Sequence, residues 1–207
     1  MRTLLEDPPA RRAGSSVTSA SPASRLRATM AAVAVHFVWF GVRKSLSTEQ
    51  KSEAASPFGA EGSFLSAGKK LLDTRHEAYK AVASVRSQIL QFWRSMSVPF
   101  PEPGIRLIRR DEIGLFDVKL TSLRQELDDA VTHLDGHYAE LKSAARRRLG
   151  RSFNAADYPT TLVGLFNVTW DYPNTEQPAY LQQLSPALFE AESRRVVARF
   201  DEAGAAG

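Results

Sequence analysis

The sequence predicts a mainly α-helical α+β fold, an elongated antiparallel helical hairpin or bundle with one very long helix and a small two- or three-stranded sheet. Three observations predict it. Apolar residues recur every three or four positions from 113 to 149, as in a long helix packed along one face. Two shorter segments have the same period. Three further segments have the composition or the alternation of β-strands.

The 207-residue chain has an ordinary globular composition, with 43% hydrophobic and 24% charged residues. It contains no cysteine, which excludes disulfide bonds, thiolate nucleophiles and cysteine-ligated zinc or iron–sulfur clusters. No apolar run approaches the roughly 18 residues of a membrane-spanning helix. We therefore expect a cytoplasmic protein that does not enter a membrane.

Residues 1–29 are predicted to form a disordered basic tail. They hold five arginines against Glu6 and Asp7, and they lack a hydrophobic period, so they bury too little apolar surface to offset the entropy lost on ordering. The rest of the chain holds 22 basic and 21 acidic side chains, so the net charge of +4 belongs mostly to this tail. Residues 30–203 are expected to form a single elongated, mainly helical domain, followed by a frayed tail at 204–207.

The predicted strands are widely separated in the sequence. Residues 33–42 carry β-branched and aromatic side chains on both faces, as a strand covered on two sides does. Residues 105–108 are a weaker candidate, and residues 165–172 alternate apolar and polar side chains. The segment 43–63, polar and containing proline and glycine, predicts a loop.

The predicted helices account for most of the remaining chain. The helix over 75–96 begins in a capping-box sequence whose N-cap is Thr74. The long helix over 111–149 would measure roughly 55 Å. An apolar stripe of that length needs partners along it, so we expect it to pack on the helix at 75–96 and on a last helix with Ser185 as N-cap.

Two histidines on the long helix have the spacing of a helical zinc site. His133 and His137 stand at i and i+4, and Asp129 lies one turn earlier. However, Leu134 occupies the position of the general-base glutamate of zinc proteases, and both histidines flank the apolar stripe, where solvated polar residues are common. We therefore predict no metal site and keep His133, His137 and Asp129 as weak candidates. We also predict no catalytic residues and no cofactor, since neither a phosphate-binding loop nor a nucleophile elbow is present.

Two clusters of arginine mark the ends of the long helix. Cations in the last turn of a helix are favoured by its dipole, which accounts for the second cluster. Contact with nucleic acid is the other interpretation, although no aromatic residues are interleaved to stack on bases. The clusters are Arg106, Arg109 and Arg110 at the start, and Arg146, Arg147, Arg148 and Arg151 at the end.

Five stretches of the chain carry a family resemblance. They are LDTRHEAYKAVASVRSQI from Leu72, PFPEPGIRLIRRDEIGLFD from Pro99, ELDDAVTHLDGHYAELKSAARRRLG from Glu126, FNAADYP from Phe153 and WDYP from Trp170. Together they resemble a bacterial and phage family defined as a domain of unknown function, over about residues 33–203. Members of that family are encoded near MoxR-type AAA+ ATPases and von Willebrand A domain proteins. The resemblance implies a role in protein assembly and assigns no catalytic residue.

The sequence thus favours a non-enzymatic protein–protein interaction or assembly component. The resemblance implies an accessory of an AAA+ ATPase complex, with an AAA+ ATPase and a von Willebrand A domain protein as partners. Self-association through the helical body is also compatible with the pattern. The alternative is a nucleic-acid-binding accessory factor that uses the two arginine clusters.

Overall fold

The computed structural model describes residues 22–205, which form seven α-helices and six β-strands. The helices are α1 (Pro22–Thr29), α2 (Thr48–Ala55), α3 (Glu77–Ser95), α4 (Ile113–Gly136), α5 (Tyr138–Leu149), α6 (Tyr180–Leu184) and α7 (Pro186–Ala205). The strands are β1 (Met30–Trp39), β2 (Arg43–Ser45), β3 (Gly68–Lys70), β4 (Ser97–Pro99), β5 (Ile105–Arg109) and β6 (Phe166–Asp171).

Four strands form an antiparallel sheet in the order β4–β5–β1–β6. The three predicted strands are confirmed as β1, β5 and β6, although β1 begins at Met30, three residues earlier than predicted. Strand β4 was missed because it has only three residues and ends in Pro99. Proline is tolerated there because β4 lies at the sheet edge, where a missing N–H breaks no ladder bond.

One face of the sheet and the helices α3, α4 and α5 enclose the main core. Val33 and Val35 of β1 and Phe166 and Val168 of β6 are buried in it. The predicted apolar stripe supplies the helical side, and its burial is confirmed. Its buried members are Phe116, Leu120, Leu123, Leu127, Val131, Leu134, Tyr138, Leu141 and Ala145.

The opposite face of the sheet carries a second, smaller core. Successive side chains of a strand point to opposite faces, so Ala32 belongs to the second core while its neighbour Val33 belongs to the main core. Helices α1 and α7 cover this face. The buried residues of the second core are Ala32, Phe100, Leu107, Val196, Phe200 and Ala203.

The predicted elongated helical hairpin or bundle with a two- or three-stranded sheet is therefore wrong. The four-stranded sheet is a layer of its own, and helices pack on both of its faces. The longest helical stretch is a 3₁₀ turn continued by α4, and it runs 27 residues, from 110 to 136. The periodicity indicated correctly which side of the helix is buried. It did not indicate that strands as well as a helix cover that side.

The helix predicted over 111–149 breaks at His137. The N–H of His137 donates to the carbonyl of Leu134, three residues back, and α5 restarts at Tyr138. Gly136 weakens the helix there by about 1 kcal/mol relative to alanine. A loop also anchors the break, since the carboxylate of Asp135 accepts hydrogen bonds from Leu162 N at 2.7 Å and from the Thr161 hydroxyl at 2.9 Å.

The first turn of α5 is held by a tyrosine. The Tyr138 hydroxyl donates to the carbonyl of Pro159 at 3.0 Å. Burial raises the pKa of Tyr138 to about 12, so the hydroxyl keeps its proton and this bond over the whole physiological range. The break is therefore set by contacts with the 159–162 loop, which is distant in sequence.

The predicted packing of the last helix is also corrected. Its predicted start is confirmed, since α7 begins at Pro186 and the Ser185 Oγ accepts from Leu188 N at 3.4 Å. However, the buried residues of α7 face the second core and α1, away from the long helical stripe. Helix α7 continues to Ala205, so a frayed tail from 204 does not describe residues 204 and 205, and residues 206–207 lie outside the described part.

The predicted disordered tail is corrected for its last eight residues. Residues 22–29 form α1, which packs on α7, while residues 1–21 lie outside the described part of the chain. Leu26 packs against the second core, and the Arg27 guanidinium lies 5.9 Å from the centre of the Phe200 ring. The segment is thus held by contacts with the second core and with α7, and no hydrophobic period in residues 22–29 signals them.

The predicted loop at 43–63 contains β2 and α2. Helix α2 starts with a capping box, in which Ser47 and Gln50 exchange side-chain-to-backbone hydrogen bonds of 3.2 Å. That Ser-x-x-Gln signal is present in the sequence and was overlooked. Gly62 packs closely on α2 and leaves no space for a side chain, because a Cβ there would lie 2.6 Å from the backbone N of Ser52.

Deleting residues 1–29 is expected to lower the melting temperature by about 5 °C, because it removes the apolar contact of Leu26 and uncovers Phe200. Deleting residues 1–21 is the matched control, since it retains α1. Thermal unfolding followed by circular dichroism compares the two. Equal melting temperatures would show that α1 does not stabilise the second core.

Candidate functional site

A cluster of three histidines lies where α3 begins and where α4 gives way to α5. His76 is the N-cap of α3, and its Nδ1 accepts from Ala78 N at 3.3 Å, so the predicted N-cap Thr74 is corrected by two residues. His137 occupies the break between α4 and α5, and its ring centre lies 5.2 Å from that of His76. The His133 ring centre lies 4.9 Å from that of His137.

The structure changes the set of candidate metal ligands. It brings His133 and His137 together as predicted from their spacing, but the side chain of Asp129 accepts a hydrogen bond from Gln125 Nε2 at 3.1 Å. The residues that can share one ion are His76, His137 and Glu140, whose donor atoms all lie within 4.8 Å of one another. Sequence reasoning missed Glu140 although it stands three residues after His137 on a helix. It missed His76 because only the packing of α3 on α4 brings it near.

The arginines at the start of α4 are engaged within the protein. Arg106 is half-buried and bonds to Ser97 with two nitrogens, Nε to the hydroxyl at 2.8 Å and a terminal nitrogen to the carbonyl at 2.6 Å. Arg109 pairs with Asp111, and this contact lowers the pKa of Asp111. Arg110 donates to the backbone carbonyls of Met30 and Arg27, which ties β5 to the end of α1.

The arginines at the end of α5 are engaged in a similar way. Arg146 lies over the Phe153 ring at 5.9 Å, Arg148 pairs with Asp73 at 2.9 Å, and Arg151 pairs with Glu53 at 3.4 Å. Among the seven candidate arginines, Arg147 is the one without such a contact to another described residue. In both clusters, therefore, most of the arginine side chains already contact other residues of the protein.

A buried ion cluster lies beneath the β2–β3 ribbon. The Asp157 side chain is 2% exposed, and it lies 2.6 Å from Lys44 Nζ and 2.7 Å from Lys69 Nζ. Lys69 is 7% exposed and also donates to the carbonyl of Ser152 at 2.7 Å. Hydrogen bonds from Lys44 and then from Lys69 lower the pKa of Asp157. These contacts join β2, β3 and the 152–157 segment.

Three exposed apolar side chains lie on a helical arm, which we define as residues 180–189 of α6 and the start of α7. Its side chains Tyr180, Leu184 and Leu188 are 61%, 74% and 59% exposed. No residue from 180 to 195 is buried, whereas the second half of α7 contributes to the second core. The arm thus adds apolar surface to the molecule without adding to either core.

Phe58 and Phe64 are also highly exposed, but they lie in a segment anchored by the buried residues Ala55 and Gly62. No helix within residues 22–205 combines the length and the apolar character needed to cross a lipid bilayer. Comparisons with protein-family models, with curated proteins and with solved structures find no match to this chain.

Proposed function

We propose that this chain is a non-enzymatic protein–protein interaction or assembly component and that the arm, residues 180–189, is its contact surface. The observation that carries the proposal is the exposure of Leu184 and Leu188 within residues 180–195, a stretch that contains no buried residue. Contiguous exposed apolar surface on a folded domain is typical of an interaction site.

Burial of such leucines contributes to the free energy of association. Each leucine side chain removed from water contributes about 1.5–3 kcal/mol. The two together therefore account for about 100-fold or more in affinity.

The partner class rests on the family resemblance alone. That resemblance favours an accessory role in an AAA+ ATPase complex, with a von Willebrand A domain protein as a second partner. Self-association through the arm is the competing form of the same proposal. A cytoplasmic location belongs to this proposal, and the cysteine-free sequence is compatible with a reducing compartment.

The alternative function, nucleic-acid binding through the arginine clusters, has less support. Six of its seven candidate arginines bond or pair within the protein. Binding a phosphate would therefore have to compete with Asp111, Asp73 or Glu53 for the guanidinium groups. A steep decrease of DNA or RNA affinity with salt concentration would favour this alternative over the arm.

The test replaces Leu184 and Leu188 together by aspartate. We expect this variant to keep its fold, since neither side chain is buried. Its affinity for a partner protein, or for a second copy of the chain, is expected to fall by about 100-fold. The measurements are capture of a tagged chain from its source cells with identification of bound proteins, and light scattering of the purified chain.

The matched control replaces Leu115 and Val118 by aspartate. These side chains are 63% and 70% exposed on α4, far from the arm in sequence, and Leu115 has the same third-residue helix position as Leu188. Retention of the partner by the control and its loss from the arm variant support the proposal. Equal binding by both variants contradicts it.

A further inference from the structure

We propose that His76, His137 and Glu140 form a binding site for a divalent transition-metal ion of the zinc class. Two imidazoles and one carboxylate from two separate parts of the chain place their donor atoms within 4.8 Å of one another. Two histidines and one glutamate are a known zinc ligand set, in which a fourth position stays open for water or another ligand.

The geometry is close to what an ion needs. An ion at the centre of three donors up to 4.8 Å apart lies about 3 Å from each, against about 2.1 Å for zinc–nitrogen and zinc–oxygen bonds. Small side-chain rotations close this difference. Glu140 is exposed and its Oε2 already lies 3.8 Å from His137 Nδ1, and the two histidines are only half-buried.

Metal binding by His76 would replace a hydrogen bond that its ring makes in the metal-free protein. Its Nδ1 accepts a hydrogen bond from Ala78 N, so the ring proton of the neutral imidazole stands on Nε2. An ion on either nitrogen ends this bond, because it occupies Nδ1 or requires the proton to move there. The bond is long, at 3.3 Å, so a weak helix cap is exchanged for a metal bond.

The proposed metal site would link helices that are far apart in the sequence. His76 starts α3, His137 lies in the break after α4, and Glu140 is in the first turn of α5. His133 is on the last turn of α4, and its ring centre lies 4.9 Å from that of His137. A bound ion would therefore hold the start of α3 against the α4–α5 break. It would also stabilise the angle between α4 and α5.

The experiment titrates the chelator-treated full chain with Co²⁺, followed by visible absorption, and with Zn²⁺, followed by thermal unfolding. We expect one ion per chain and a rise in melting temperature of about 5 °C or more at saturating zinc. The variants His76→Asn, His137→Asn and Glu140→Gln are each expected to weaken binding by about 10-fold or more. Asparagine at 76 retains a side chain that caps helices, so the fold of α3 is preserved.

The matched control is His36→Asn. His36 is the remaining histidine of the chain and also has an acidic neighbour, with Nε2 3.5 Å from Asp171 Oδ2 on the exposed end of the sheet. We expect unchanged metal affinity for this variant. The proposal is overturned if the wild type binds no stoichiometric ion, if His36→Asn weakens binding as much as His137→Asn, or if His76→Asn and Glu140→Gln bind like the wild type. Melting temperatures of the metal-free variants separate loss of binding from loss of fold.

Discussion

Replacing Leu127 by aspartate will unfold the protein or lower its stability by about 4 kcal/mol or more. Leu127 lies in the middle of α4 and is completely buried in the main core among apolar and aromatic side chains. The substitution removes a leucine from the core and brings a carboxylate into a place without a basic partner. A loss of this size is comparable with the total stability of a typical domain, about 5–15 kcal/mol.

The control is Thr121→Asp on the same helix. Thr121 is exposed, so its carboxylate stays in water, and threonine and aspartate have similar helix propensities. Its expected effect is a few tenths of a kcal/mol. Urea denaturation followed by circular dichroism measures both variants. If Leu127→Asp were as stable as Thr121→Asp, the packing of α4 on the sheet and on α3 would be disproved.

Asp157→Asn is expected to lower the free energy of unfolding by about 3 kcal/mol, because it leaves the buried Lys69 ammonium without its counterion. Lys44→Gln is the matched control. Lys44 is 57% exposed, and its loss leaves the Asp157–Lys69 pair intact, so we expect a much smaller effect. A double variant, Asp157→Leu with Lys69→Met, should regain part of the loss, since it removes both buried charges. Equal stability of Asp157→Asn and the wild type would contradict this assignment.

The same carboxylate predicts a dependence of stability on pH. Hydrogen bonds from Lys44 and Lys69 hold the pKa of Asp157 below its unfolded value, about 3.9. The folded state therefore binds this proton less readily than the unfolded state, and the stability from Asp157 is present above pH 4 and lost as the pH falls further. We expect the difference in unfolding free energy between the wild type and Asp157→Asn to shrink from pH 7 to pH 3. A constant difference would show that this carboxylate keeps its unfolded pKa.

Local patterns predicted local features of this protein correctly. The period of the stripe identified the buried side of α4 and α5, and Ser185 with Pro186 marked the start of α7. Composition and alternation located β1, β5 and β6 to within a few residues. The buried stripe and the strands depend on which side of an element faces solvent. The start of α7 depends on a side chain that accepts a hydrogen bond from a backbone N–H of its first turn. Residues close together in the sequence show each of these features.

The sequence did not show which secondary-structure elements pack against one another. A stripe of leucines requires cover, but the pattern cannot distinguish a helix from a sheet as that cover, so the hairpin prediction was wrong. The break at His137 has a sequence component in Gly136, yet the bonds that hold it come from the 159–162 loop. The segment 22–29 orders because Leu26 meets the second core, and that core exists only after β1, β5 and α7 have assembled.

The candidate metal site shows the same division. Helical spacing, which can be read from neighbouring residues, places His133 beside His137 and Glu140 one turn after it. The approach of His76, which caps another helix and has its ring centre 5.2 Å from that of His137, results from tertiary packing. Helix geometry fixes neighbours within a few residues, whereas contacts between distant residues follow from how α3 packs on α4 over the shared core, and that packing is a property of all the buried side chains together.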